Sequence, residues 1–436
     1  MVNGRTALVK LDSVGVVFDD ERLVSDAGLL LPATLAGRLG IERLVNDTVR
    51  LGEFVPGAAL PGRKVLSLVH GMLAGADCID EMDVLRTGRT GLVLGHGVMA
   101  PSTLGTFLRA FTFGHVRQLD RVLDQTLCRA WQAGAGPGDQ RLLIDIDSFI
   151  GEVHGYQKQG AGYGYTKKLG YHPLLATRAG SAEVLHIRNR KGQANTQRGN
   201  GRFVDELLAR VRRAGATGTI LIRADSGFEN TKVFKRLDAQ GVQFSIGVKL
   251  HKHVRAAIER IPEEQWRPLA DYPETGLAEI AETTLGVWRL IVRRVRTLGE
   301  QEQLFATWQH FAFASNRTEL LEIVEAEHRE HAVVELAIRD LKEQALAHFP
   351  SGKFAANSAW TVIAALAHNL GRWTSMIGLP EQTPRTARTR RRWLFRIPGR
   401  LTRSARQWTL HLPARWPWQQ DFDQALARIR ALPAPG

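Results

Sequence analysis

The stretch "IRADSGF", residues 222–228, joins an apolar strand to a polar turn. Ser226 and Gly227 break the strand pattern directly after Asp225, which places this carboxylate at the rim of a sheet. Asp225 can cap the helix that starts near Glu229 or stabilise a turn. It can also serve as a ligand, provided that further carboxylates lie close by.

Short strands and helices alternate on both sides of this stretch. Three strand-like segments, of which "RLLIDIDSF" is the first, precede the helical pattern "GRFVDELLARVRRAGA". Strand "TILIRA", helix "NTKVFKRLDAQG" and strand "QFSIGVKL" follow. The order predicts an α/β fold with a mixed sheet and flanking helices.

The remaining segments define five regions. We expect a helical DNA-binding region over 1–130, in which "APSTLGTFLRAF" is an ordinary capped helix or the second helix of a helix-turn-helix. One α/β domain is expected over 138–250 and 311–375, interrupted by a β-rich insertion over 251–310. An arginine-rich C-terminal segment over 376–436 is expected to contact DNA.

The charge of the chain indicates a polyanionic partner. Its 436 residues include 58 Lys and Arg against 44 Asp and Glu, a net charge of +14. The most apolar stretches are shorter than the roughly 20 residues of a spanning helix, so we expect no membrane partner. The N-terminus lacks a secretion signal, and the two cysteines do not make a disulfide framework. Both observations predict a cytoplasmic, nucleoid-associated protein.

Two further carboxylates precede the turn at Asp225. Asp145 and Asp147 lie two apart in "LLIDIDSF" and therefore project from the same face of one strand. If this strand neighbours "ILIRA", Asp147 and Asp225 meet at the carboxyl edge of the sheet, where open α/β sheets bind ligands. Asp145 lies deeper, where it is expected to pair with a base such as Lys167.

A long helix after the insertion carries a third acid, Glu335. Its neighbours at helical spacing are His328, His331, Arg339 and Lys342, which should share roughly one stripe. A solvated face with a Glu335–Arg339 pair accounts for this pattern, and so does a catalytic face.

The motifs taken together resemble DDE transposases of bacterial insertion sequences with a ribonuclease-H-like catalytic domain, most closely the insertion sequence 1380 family. The segments that carry the resemblance are "DIDSF", "EVHGYQKQGAGYGYTKKLGYHPLLATRA", "RKGQANTQRG", "IRADSGF", "HAVVELAIRDLK", "HFPSGKFAANSAW" and "ALAHNLGRW". It covers residues 140 to 375 strongly and the N-terminal part more loosely.

The resemblance implies that Asp147, Asp225 and Glu335 are the catalytic, metal-binding triad. Three carboxylates suit two Mg²⁺ or Mn²⁺ ions, which together activate a nucleophile and stabilise the leaving oxygen of a phosphodiester. Lys342 matches a basic residue of related enzymes. His328, His331 and Phe149 depart from the pattern, in which a Tyr, an Arg and a Thr are common.

Basic and aromatic residues predict where DNA binds. Four of the five tyrosines lie between Tyr156 and Tyr171 among lysines, which suits phosphates and unstacked bases, although a hairpin with packed tyrosines fits as well. Trp288 can stack on a displaced base or pack in the core. The predicted DNA contacts are Tyr156, Lys158, Tyr165, Lys167, Lys168, Arg190, Lys191, Arg198, Trp288, His331, Arg339, Lys342, Arg391 and Arg392.

The expected function is that of a transposase acting on double-stranded DNA, both transposon ends and target, as a homodimer. It would bind inverted terminal repeats, cleave by two-metal hydrolysis and join the freed 3′-hydroxyl to target DNA. A non-catalytic DNA-binding protein and a metal-dependent nuclease that does not join ends remain alternatives.

Overall fold

Helices dominate the N-terminal part of the chain. The computed structural model describes residues 11–155, 157–164, 167–194, 199–269, 272, 276–297 and 308–434. A short strand and six helices come first: β1 (Leu23–Val24), α1 (Leu30–Arg38), α2 (Ile41–Thr48), α3 (Pro61–Ala74), α4 (Thr90–Leu94), α5 (Pro101–Arg109) and α6 (Phe113–Ala130). The helix expected at "APSTLGTFLRAF" is α5, which begins at Pro101 because proline fits a first helical position.

Strands and helices alternate after residue 141, in the order predicted from the sequence. The elements are β2 (Leu142–Ser148), β3 (Gly151–Glu152), β4 (Gly162–Tyr163), β5 (Leu169–Tyr171), β6 (Leu174–Arg178), β7 (Glu183–Arg188), α7 (Asn200–Ala214), β8 (Ile220–Ala224), α8 (Thr231–Ala239) and β9 (Gln243–Val248). Strands β3, β5 and β4 form a small separate sheet in that order. Strand β8 is buried along its whole length, and β2 is buried at four of its seven residues, as apolar runs indicate.

The region expected to be an insertion extends the central sheet. It contains helix α9 (Lys252–Ile258), which the strand-like reading of 251–310 missed, and strands β10 (Arg267–Pro268), β11 (Gly276–Leu285) and β12 (Trp288–Thr297). Strand β13 (Gln309–Ser315) pairs with β12 on one side and β9 on the other, both antiparallel. The nine-stranded sheet therefore has the order β10-β11-β12-β13-β9-β8-β2-β6-β7.

The helical segment after β13 is broken. Helix α10 (Leu321–Arg329) is followed by a 3₁₀ turn over Glu330–Val333, and only then by α11 (Val334–Leu341). A 3₁₀ turn advances 120° per residue instead of 100°, so four residues add about 80° of rotation. The predicted single stripe from His328 to Lys342 is therefore wrong: His328 is half-buried and stacks on Phe313, while Arg339 is exposed.

Helix α12 (Phe354–Gly378) passes through the centre of the core. Its Trp360 and Trp373 are fully buried, and it contacts α3, α6 and β7. The carboxylate of Glu183 on β7 accepts hydrogen bonds from the indoles of Trp131 (2.8 Å) and Trp373 (2.5 Å). These bonds fix the helices to the sheet. No helix in the described ranges is both long and apolar enough to cross a bilayer.

The C-terminal segment folds onto the N-terminal helices. Its elements are α13 (Ala387–Arg390), β14 (Gly399–Ser404), β15 (Gln407–His411) and α14 (Gln419–Ala431). Strand β14 lies between β1 and β15 in a three-stranded sheet, and α14 packs on α1 and α12. Trp393 and Phe395 are buried. The arginines of this segment are thus attached to a packed structure.

Candidate active site

The carboxyl ends of two parallel strands bring Asp147 and Asp225 together. Strand β2 pairs in parallel with β8, and the last pair in register is Ile146 with Ala224. The next residue of each strand is an aspartate, and residues in register point to the same face of a sheet. Asp147 and Asp225 therefore lie side by side at the edge predicted from the sequence.

Tight backbone geometry fixes both carboxylates. The Oδ1 atom of Asp147 accepts a hydrogen bond from the Ser148 amide at 2.6 Å, and that of Asp225 from the Gly227 amide at 3.0 Å. The turn after Asp225 lies directly against β9, where a Cβ on Gly247 would stand 2.7 Å from the amide nitrogen of Ser226. A side chain at position 247 would force this turn outward.

Glu335 on α11 is exposed, and α11 contacts β2. Burial raises the pKa of Asp147 to about 6, and the negative charges of Asp225 and Glu335 add to this rise, against the Ser148 amide and His331. Asp225 and Glu335 therefore both act electrostatically on Asp147. The repulsion that Asp147 experiences favours a cation beside it.

Asp145 has a different environment from Asp147, one pleat away. It is 1% exposed and forms two hydrogen bonds with the guanidinium of Arg223, which opposes it in register on β8, at 2.7 and 2.9 Å. The Nδ1 atom of His331 lies 3.1 Å from the same carboxylate. The base that pairs with Asp145 is thus Arg223 and not Lys167, because strand pairing brings position 223 beside it.

Sequence reasoning missed His172 and Lys249. Both line a cavity of about 570 Å³ together with Asp147 and Asp225. The Nδ1 atom of His172 lies 2.8 Å from the Ala194 carbonyl, so it carries the proton and Nε2 accepts from the Ser148 hydroxyl at 2.9 Å. The available signal was that each residue directly follows a strand, His172 after β5 and Lys249 after β9.

Burial lowers the pKa of His172, and the charge of Arg190 lowers it further, against the Ala194 carbonyl and Asp225. The imidazole is therefore neutral at pH 7. A neutral ring with a fixed tautomer can hold the Ser148 hydroxyl in one orientation beside the carboxylates.

The donor set of the site fits hard cations. Asp147, Asp225 and Glu335 offer only carboxylate oxygens, the ligands that Mg²⁺ prefers. In the described part of the chain, three potential ligand atoms lie within 4.8 Å of one another only at Asp77/Cys78/Glu81 and at Asp120/His186/Glu206. Asp147, Asp225 and Glu335 are not among these tighter groups.

The predicted basic contacts on the β3–β7 side of the site differ in exposure. Lys168 is exposed and forms an ion pair with Glu152 at 3.0 Å, while Lys167 and Lys191 are exposed. Lys158 donates to the Phe349 carbonyl, and Arg190 is buried and donates to the His172 carbonyl at 2.9 Å. Tyr156, Tyr165 and Arg198 lie outside the described residues.

The remaining predicted contacts divide between core and surface. Arg339 and Arg392 are exposed, Arg391 is half-buried, and the Lys342 ammonium lies 5.4 Å from the centre of the Phe149 ring. The imidazole of His331 contacts the carboxylate of the buried Asp145. Trp288 is 7% exposed and packs edge-on against Phe234 and Phe244. Of its two predicted roles, the structure thus shows packing in the core.

Comparison with known proteins identifies the family of this chain. A synaptic complex of piggyBac transposase with hairpin DNA is similar over 86% of this chain and 80% of its own, with 13% identity and a TM-score of 0.47. No match was found among curated protein sequences. The family described as "Transposase DDE domain group 1" matches residues 6–434, nearly the whole chain. The chain therefore belongs to the group 1 family of DDE transposase domains.

Proposed function

We propose that this protein is the transposase of an insertion sequence of the 1380 family, and that Asp147, Asp225 and Glu335 form its catalytic site. The observation that carries the proposal is the pair of aspartates at the ends of two parallel strands, with Glu335 close enough to interact with Asp147. In the part of the chain that the structure describes, none of the three carboxylates forms an ion pair with a Lys or Arg. A metal-dependent reaction on DNA accounts for it.

The fold that we propose around the site is ribonuclease-H-like. The strand order β7-β6-β2-β8-β9 supports it, with β2, β8 and β9 parallel and β6 antiparallel to its two neighbours. In this arrangement the acids come from the ends of the central strands and from a helix that crosses their edge.

Asp147, Asp225 and Glu335 would hold two Mg²⁺ or Mn²⁺ ions. When bound, these ions lower the pKa of a coordinated water or 3′-hydroxyl and stabilise the leaving oxygen of the scissile phosphodiester. His172 and Ser148 would act as positioning residues, since Ser148 contacts both the imidazole and Asp147. Lys249, which lines the same cavity, would attract a phosphate.

The partner that we propose is double-stranded DNA, first the terminal repeats and then the target, bound by a homodimer in the bacterial cytoplasm. The exposed residues Lys167, Lys168 and Lys191 lie on the segments around the acidic cavity, and Arg339 follows Glu335 by one helical turn. Their charges would offset the negative phosphates on either side of the cut. The net charge of +14 supports the same partner.

The experiment is incubation of the protein with labelled terminal-repeat DNA and Mg²⁺, with Glu335→Gln as the test variant. Glutamine keeps the shape of the side chain but removes a charged ligand. Removing a group that only supports a metal ligand already lowers activity by about 10- to 100-fold. Cleavage by Glu335→Gln should therefore fall by more than about a hundredfold. DNA binding should persist. Glu343→Gln, two helical turns further along, is the matched control and should cleave normally.

The products separate the alternatives. Cutting followed by joining to target DNA supports a transposase, cutting alone indicates a nuclease, and binding alone indicates a DNA-binding protein without catalysis. Normal cleavage by Glu335→Gln would remove Glu335 from the site.

A further inference from the structure

An apolar N-terminal arm, residues 11–18, is exposed in this structure. Phe18 is fully exposed, and Val16 and Val17 are 76% and 74% exposed. Val17 and Phe18 line an open cavity of about 1070 Å³ together with Arg89 and Gly399. So many adjacent apolar side chains in water mark an interaction site.

Among the described strands, none pairs with Val14–Phe18. Leu23 opposes Arg400, and the Leu401 amide donates to the Arg22 carbonyl at 2.8 Å. A turn follows on the N-terminal side, closed by the hydrogen bond that the Leu23 amide donates to the Asp20 carbonyl at 3.4 Å. The turn ends the pairing with β14, so residues 14–18 do not continue β1 along this strand.

The outer edge of β15 is a matching surface. Strand β15 has β14 as its neighbour on one side, and within the described residues no strand pairs with its other side. Gln407–His411 contains neither proline nor a bulge, two devices that usually protect an open edge. The strand and the segment Val14–Phe18 are both five residues long, and Trp408 is 45% exposed.

The charges of the two surfaces are complementary. Residues 11–21 contain four acids and no base, whereas residues 384–415 contain ten arginines and no acid. Pairing of one arm with another arm would bring eight acids together. Antiparallel pairing of Val16 with Thr409 instead places Asp19 opposite Arg406, and both of these residues are exposed.

We propose that Val14–Phe18 of one protomer adds as an antiparallel strand to the β15 edge of a second copy, and that the exchange is reciprocal. Main-chain hydrogen bonds would supply affinity, and Val17 would pack against Trp408. A reciprocal exchange gives a closed two-fold dimer. The inference needs neither DNA nor metal and is independent of the proposed catalytic function.

Sedimentation of the full chain without DNA or Mg²⁺ tests the dimer. The wild type should sediment as a dimer, and Phe18→Asp should weaken dimerisation at least about tenfold. Phe54→Asp is the matched control, because Phe54 is 96% exposed elsewhere and its replacement should leave the dimer intact. A monomeric wild type, or equal behaviour of the two variants, would overturn the proposal.

Charge reversal tests the register. Arg406→Glu should weaken the dimer, and Asp19→Arg in the same chain should restore it. A double variant that is no tighter than Arg406→Glu alone would refute this pairing. Unchanged melting curves would show that each variant is folded.

Disulfide trapping tests the identity of the two surfaces. Val16→Cys with Thr409→Cys, in a chain with Cys78→Ser and Cys128→Ser, should form a disulfide between two chains. Cross-linking of Val16→Cys alone would indicate pairing of arm with arm, and a disulfide within one chain would indicate that the arm folds back. Either result would overturn the proposal.

Discussion

Substitution of asparagine at Asp145 and at Asp147 should have opposite effects, although these residues lie two apart on one strand. Asp145 is the counterion of the buried Arg223, which is 1% exposed. Asp147 instead faces the like charges of Asp225 and Glu335. The first carboxylate stabilises the fold, whereas the ionised second carboxylate destabilises the fold without metal.

The magnitudes follow from these environments. Asp145→Asn leaves the Arg223 guanidinium buried without a full counterion, which should lower the free energy of unfolding by about 3 to 5 kcal/mol. The pKa of Asp147 rises from 3.8 to about 6, so its ionisation costs the metal-free fold at most about 3 kcal/mol at pH 7. Asp147→Asn should therefore raise metal-free stability by about 1 to 3 kcal/mol.

The pH dependence follows with a definite sign. A carboxyl whose pKa is raised on folding binds its proton more tightly in the folded state, so its contribution is full below about pH 4 and is lost as the pH rises through about 6. Wild-type protein without metal should lose stability across this interval relative to Asp147→Asn, in which the group is absent.

Urea unfolding in EDTA at several pH values measures both effects, and DNA cleavage with Mg²⁺ measures the chemistry. Asp147→Asn should be folded and inactive. Asp145→Asn should be destabilised and, at a temperature where it remains folded, should retain more cleavage activity than Asp147→Asn. If Asp145→Asn were as stable as wild type but inactive while Asp147→Asn cleaved DNA, the assignment of the two carboxylates would be wrong.

Three further changes test the metal site, its support and the C-terminal segment. Mg²⁺ at a hundredfold excess over its dissociation constant should stabilise the wild type by about 2.7 kcal/mol but not Asp147→Asn, which thermal unfolding can detect. Gly247→Ala should displace the turn at Asp225 and reduce cleavage, whereas Gly352→Ala, with open space around its Cβ, should not; equal activities would contradict this. Truncation after Glu381 should unfold the N-terminal helices as well as weaken DNA binding, because it removes α14; an unchanged melting temperature would refute that packing.

The sequence by itself determined the order of strands and helices from residue 142 to 248 and the meeting of Asp147 with Asp225. Both follow from short-range patterns, since apolar runs set the strands and polar turn residues end them. Parallel neighbours then present their carboxyl ends at one edge. The order of the three acidic residues in their motifs also indicated a DDE transposase, which agrees with the family that matches the chain.

Only the tertiary structure decided how the neighbouring residues are used. Strand register put Arg223 beside Asp145, and a 3₁₀ turn rotated Glu335 away from the stripe that contained His328. Long-range packing buried Trp288 in the sheet and attached the arginine-rich segment to the N-terminal helices. The physical reason is that register, helix phase and burial depend on contacts between residues far apart in the chain, which no local pattern encodes.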